Sequence, residues 1–130
     1  MTYLKAAAAI AVSFLVIDLV WITLFVGDVY NAQLGDMMRE TPNGMAAGAF
    51  YVGYIAGIAY FAVRPALHEA RVGPAILNGA LLGALAYGTY TLTNYAIFKN
   101  WSFVLVASDI AWGAFLTASS AAIGYFAAKA

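Results

Sequence analysis

Residues 4–27 read LKAAAAIAVSFLVIDLVWITLFVG, and between Leu4 and Gly27 only Lys5, Ser13, Asp18 and Thr23 are polar. A helix rises about 1.5 Å per residue and the hydrocarbon core of a bilayer is about 30 Å thick, so about 20 apolar residues cross it. This stretch is long enough to do so. Asp18 interrupts the run and no small-residue cleavage pattern follows near Val26 to Tyr30, so it reads as a retained span and not as a signal peptide.

Three more segments qualify, at about 45–63, 74–98 and 102–128. Together they use about three quarters of the 130 residues and leave no room for a soluble domain, so residues 1–130 read as a single transmembrane domain. The expected fold is all-α, an integral membrane four-helix bundle. Composition agrees: 65% of residues are hydrophobic, 9% are charged, and the mean hydropathy is +0.84. A soluble domain is about 45–50% apolar and about 25% charged. With six basic and six acidic residues there is no footprint for nucleic acid. No alternating ten-residue strands suggest a barrel.

Connections are short. Tyr30, Leu34, Met37 and Met38 recur at helical spacing opposite Asn31, Gln33, Asp36 and Arg39, which predicts a short interfacial helix between the first and second spans. Thr41-Pro42-Asn43-Gly44 then turns the chain. Arg64-Pro65 is expected to end the second helix, because proline disfavours helix in the residue before it. His68, Glu69 and Arg71 fall in the middle loop on this reading, and Gly73-Pro74 opens the third helix. Lys99-Asn100-Trp101 is a tight turn with an interfacial tryptophan. Lys5, Arg64, Arg71 and Lys129 lie on one side and Arg39 and Lys99 on the other, which favours both termini in the cytoplasm; a bacterial-type inner membrane is the address expected on prior grounds alone.

Lipid tails are as apolar as leucine, so close backbone approach and polar contacts must hold the helices together. Small residues recur as Ala49, Gly53 and Gly57 in the second span. The third has Ala80, Ala84 and Gly88, with Gly79 and Gly83 one step round. The fourth has Gly113, Thr117 and Ala121, with Ser120 and Gly124 beside them. Bundle packing is the expected use, and the same stripes suit a homodimer.

A carboxylate in mid-bilayer costs at least about 2.5–3.5 kcal/mol on insertion scales. This chain has two, in matching surroundings: Phe14-Asp18-Trp21-Phe25 and Leu105-Asp109-Trp112-Leu116 share their spacing on helices that run in opposite directions. That hints at an inverted repeat. At 1.5 Å per residue Asp18 lies about 14 Å and Asp109 about 10 Å below the same surface. Tyr87, Tyr90, Thr91 and Asn94 fall on roughly one face of the third helix, and Tyr51 and Tyr54 of the second reach the same level. These residues predict one polar, aromatic-lined layer. The candidate ligand- or proton-binding set is Asp18, Trp21, Tyr54, Tyr87, Tyr90, Thr91, Asn94, Asp109 and Trp112. The competing reading keeps both aspartates neutral and hydrogen-bonded, as register pins.

Several chemistries drop out. No histidine lies within a span, the one lysine there is Lys5 at the very start of the first, and there is no cysteine, so haem ligation, thiolate or histidine metal sites and a mid-span retinal Schiff base lack their side chains. No phosphate loop, serine elbow or His-Glu-x-x-His helix is present. Neither cofactor nor metal is expected.

The stretches Ile17-Asp18-Leu19-Val20-Trp21, Phe50-Tyr51-Val52-Gly53-Tyr54, Arg64-Pro65-Ala66-Leu67, Tyr87 to Asn94 and Ser108-Asp109-Ile110-Ala111-Trp112-Gly113 resemble a family of small bacterial predicted membrane proteins of unknown function. The family pattern has Tyr-Asp-Leu-Thr-Asn where this chain has Tyr90-Thr91-Leu92-Thr93-Asn94, so a third carboxylate of the layer is replaced by Thr91. The resemblance implies a four-helix inner-membrane protein and no particular activity.

Three functions compete. A binding or transport protein for a small solute, cation or proton comes first, since the aspartates exchange protons or pair with a cation and the tryptophans offer cation–π faces. A structural or regulatory subunit of a membrane complex comes second. A lipid-modifying enzyme with an aspartate as general acid or base comes third, because nothing specifies a bond to break. The partners expected are the lipid bilayer, a small solute or cation, and a second copy of the chain.

Overall fold

Burial in the first helix follows a strict four-residue step. In a computed structural model that describes residues 2–26 and 43–130, α1 (Thr2–Trp21) buries Ala6, Ile10, Phe14 and Asp18 and leaves Leu4, Val12, Leu15, Val16, Leu19 and Val20 exposed. Residues four apart stack on one helical face, so Asp18 is the last member of an otherwise apolar ridge. The helix runs on as a wider π turn, Ile22–Val26. The predicted interfacial helix lies outside the described residues.

Four helices are long and apolar enough to cross a membrane: Thr2–Leu24, Gly44–Glu69, Gly73–Ile97 and Phe103–Lys129. Among the described residues there are no strands. The second span begins at Asn43, whose side chain caps it by accepting from the Ala46 amide at 3.1 Å. It comprises α2 (Gly44–Ile58), a π turn (Ala59–Val63) and α3 (Arg64–Glu69). The third span is α4 (Gly73–Ile97), with Pro74 in its first turn. A turn at Lys99 and Asn100 leads to α5 (Phe103–Lys129), which Ser102 caps through the Leu105 amide at 3.2 Å.

Arg64-Pro65 does not end the second helix, contrary to expectation. The chain stays helical to Glu69, and His68 stands in the last helical turn instead of a loop. Two features accommodate the proline. The π turn just before it shifts the bonding, with the Arg64 amide reaching back to the Ala59 carbonyl. Pro65 also removes the amide that would bond the Phe61 carbonyl four residues earlier. That carbonyl instead accepts from Asn78 Nδ2 on α4 at 3.1 Å. The helix stops at Ala70, which is left-handed (φ 56°, ψ 35°). The Arg71 amide returns to Ala66 and the Ala70 amide to Leu67, the paired closure usually built on glycine.

α5 is the hub, packing most extensively on α4 and next on α1. The α4–α5 contact is set by glycine. A Cβ on Gly83 would run into the Gly113 carbonyl and lie 2.7 Å from Thr117 Oγ1. One on Gly79 would lie 3.0 Å from the Ala118 Cα, and one on Gly113 would strike the Tyr87 ring. On the other flank, a Cβ on Gly124 would come within 2.7 Å of Ile10. The tight seam of α4 is thus Gly79–Gly83, while Gly88 meets Ile110 only at an ordinary 3.8 Å.

The second span corrects the packing expectation. Beside Gly53 and Gly57 nothing lies within 4 Å, and Ala49 is exposed, so this stripe is not used within the bundle. α2 holds on through its aromatic side chains instead. Phe14 meets Tyr51 and Tyr54 edge-on, each with ring centroids 5.6 Å apart.

Gly83→Ala is expected to destabilise the protein in detergent by about 1–3 kcal/mol, the usual cost of overpacking, whereas Gly57→Ala changes it little. Denaturant titration followed by tryptophan fluorescence compares them. Asn78→Leu is expected to cost about 1–3 kcal/mol by orphaning the Phe61 carbonyl. In a Pro65→Ala background, which restores a backbone donor, the same substitution costs much less.

Candidate functional site

Asp18 is 8% exposed and accepts from two other helices. Tyr51 of α2 donates its hydroxyl to Oδ2 at 2.9 Å. Trp112 of α5 donates its indole N–H to Oδ1 at 3.3 Å. Both donors are neutral, so neither supplies a countercharge. Trp112 in turn stacks on Trp21, with ring centroids 4.4 Å apart and planes 8° from parallel. The two Asp-x-x-Trp stretches therefore cross: the tryptophan of the last helix bonds the aspartate of the first, and the two tryptophans lie face to face.

Asp109 is also buried, at 6% exposure. Tyr87 lies within electrostatic range of both carboxylates and of Tyr51 and Tyr54. Its ring rests on Gly113, where only a residue without Cβ leaves room, so the α4–α5 seam and the Asp18 surroundings share one contact. Tyr54 lies 6.4 Å from Tyr87 by ring centroids, and its hydroxyl hydrogen-bonds Thr117 Oγ1 at 2.7 Å instead of a carboxylate.

The other candidates gather around a different side chain. Thr91 is fully buried and accepts the indole N–H of Trp101 at 3.0 Å. Tyr90 meets Trp101 edge-on at 5.6 Å but is 46% exposed. Trp101, at the turn between the third and fourth spans, is buried and folded onto α4, where its N–H finds in Thr91 a partner that lipid does not offer. The Asn94 side chain is partly buried and makes no hydrogen bond among the described residues. The structure thus joins Asp18, Trp21 and Trp112, keeps Tyr87 within electrostatic range of both carboxylates, and sets Tyr90 and Thr91 on Trp101.

Two partners stand outside the candidate set. Tyr51 was placed in the layer without a role and proves to be a direct donor to Asp18. Trp101 carried no signal of inward orientation. A lateral cleft of about 380 Å³ lined by Phe50, Ala86, Tyr87 and Tyr90 lies between α2 and α4. No three acidic, histidine or cysteine side chains that could hold a metal come together among the described residues.

A family of predicted membrane proteins, DUF2177, matches residues 3–126. The chain belongs to this family. No curated protein and no solved structure matches it. The DUF2177 match takes in most of each of the four membrane-crossing helices and every residue of the Asp18 and Trp101 clusters.

In this DUF2177 protein Tyr51→Phe is expected to cost about 1.5–3 kcal/mol, the range for a hydrogen bond to a charged group. The stacked indoles are expected to give an exciton couplet in far-ultraviolet circular dichroism. Trp21→Phe removes the couplet and Trp101→Phe leaves it.

Proposed function

We propose that this membrane protein binds or transports a small solute, cation or proton, with Asp18 as its acceptor. The observation that carries the reading is the buried Asp18 carboxylate on a membrane-spanning helix, held by two neutral donors from two other helices. Intramembrane carboxylates are costly and mark ion pathways and proton relays. Tyr51 and Trp112 orient this one and leave its charge for a proton or a cation to neutralise. Asp109 lies close enough for Tyr87 to interact with both carboxylates, and the faces of Trp21, Trp112 and Tyr87 suit an organic cation. Tyr90, Thr91 and Asn94 form the outer part of the same proposed layer and Tyr54 its inner edge, and the cleft at Tyr87 and Tyr90 is its route of access.

The chain is proposed to act as one transmembrane domain in a bacterial inner membrane. Lys5, Arg64, Arg71 and Lys129 then face the cytoplasm together with both termini. Four helices enclose a narrow path, and a second copy seated on the unused stripe at Gly53 and Gly57 would widen it.

The test uses proteoliposomes and two probes, tetraphenylphosphonium and an entrapped pH-sensitive dye. Wild-type protein is expected to bind the cation or pass protons. Asp18→Asn is expected to lose at least tenfold of that signal while keeping the indole couplet. A wild-type protein inert to both probes, or an Asp18→Asn variant equal to wild type, overturns the reading.

A further inference from the structure

At the end of the bundle away from Asp18, the second span carries Arg64 and His68 one turn apart on α3, so their side chains share a face. Both are exposed. The guanidinium carbon of Arg64 lies 5.0 Å from the centroid of the Tyr60 ring, which holds the group against the helix. Among the described residues Arg64 has no carboxylate partner. The nearby Glu69 is already paired with Arg71 at 2.8 Å.

A furrow lies on each side of this basic ridge. One, of about 680 Å³, runs between α1 and the second span and is floored by Ala7, Ala56 and Ala59, with Tyr3 and Tyr60 at its edges. The other, of about 360 Å³, is bordered by Tyr60, Phe61 and Pro65. Arg64 and His68 line both. The floor of the larger furrow is small and apolar because alanine occupies positions where the neighbouring surface carries Leu4, Tyr60 and Phe61.

We propose that this ridge and its two furrows form a binding site for one anionic phospholipid. A phosphate between Arg64 and His68 meets a planar guanidinium, the side chain suited to two-point phosphate binding, and a second nitrogen donor. The two acyl chains lie in the two furrows. Tyr3, in the first turn of α1, stands at the end of its span, where aromatic side chains mark the membrane–water boundary. A zwitterionic lipid fills the same furrows and brings a choline cation toward the arginine, so the charge of the ridge selects the anionic class. A soluble phosphate lacks the chains that the furrows accommodate. The site shares no residue with the Asp18 cluster and stands or falls separately from the transport reading.

The experiment is native mass spectrometry of the intact protein in detergent, titrated with dioleoyl phosphatidylglycerol or dioleoyl phosphatidylcholine. One phosphatidylglycerol per chain is expected to stay bound where phosphatidylcholine dissociates. Arg64→Gln is expected to weaken it about fivefold, the equivalent of one basic charge near an anionic headgroup, and Arg64→Gln with His68→Gln further still. Ala56→Leu fills one furrow at an exposed position and is expected to weaken binding with no change of charge. Lys5→Gln, outside the site, leaves it unchanged, and millimolar inorganic phosphate does not compete. Equal retention of the two lipids, an Arg64→Gln variant with wild-type affinity, no effect of Ala56→Leu, or displacement by inorganic phosphate overturns the proposal. Folding of each variant is read from the Trp21–Trp112 couplet, which lies at the opposite end of α1.

Discussion

Lipid gives helices no hydrophobic reason to associate, so this bundle depends on how closely two backbones come together at Gly83 and Gly113. That approach decides much else. It leaves a socket on α5 in which the Tyr87 ring rests, and it brings the Thr117 hydroxyl against α4 on one side and into contact with Tyr54 on the other. α5 becomes the shared surface on which α4 and α1 pack. The second span, whose glycines meet nothing, attaches by aromatic edges, two hydroxyls, the Asn78–Phe61 bond and the buried side chains of Ile58, Ala62, Val63 and Ala66. Backbone packing builds one half of the bundle and side-chain chemistry the other.

The second constraint is the absence of water for polar groups. Hydroxyls within spans turn back on their own helix, as Ser13 does to Ala9 and Thr89 to Leu85. Groups that cannot do so reach across. Asn78 answers the carbonyl left by Pro65, Trp101 answers Thr91, and Tyr51 and Trp112 answer Asp18. The polar side chains that reach across thus each fix a relation between two elements.

The legible part of the fold was that governed by length and apolarity. Four spans follow from runs of more than 20 residues, and the buried status of Asp18 and Asp109 follows from the cost of exposing a carboxylate to lipid. The helix end at Arg64-Pro65 was misread because local propensity ignores what a neighbour supplies; Asn78, more than ten residues on, removes the penalty that the rule assumes. Small-residue spacing was readable as a stripe but not as a contact, since Gly53–Gly57 and Gly79–Gly83 look alike in one dimension and only the latter meets another backbone. In the candidate site the Asp-x-x-Trp repeat was visible. Its crossing was not, because intrahelical spacing places Trp21 beside Asp18 and carries no information about a residue 94 positions away.

That separation bears on how the chain is made. Asp18 enters the bilayer with the first helix, yet Trp112 is not synthesised until 94 residues later. At a translation rate of about 5–20 residues per second the carboxylate waits roughly 5–20 s for that donor. Tyr51 arrives after 33 residues, in about a third of the time. During the interval the nascent first helix carries an incompletely solvated acid, a form suited to retention by the insertion machinery until the last helix emerges and closes the bundle.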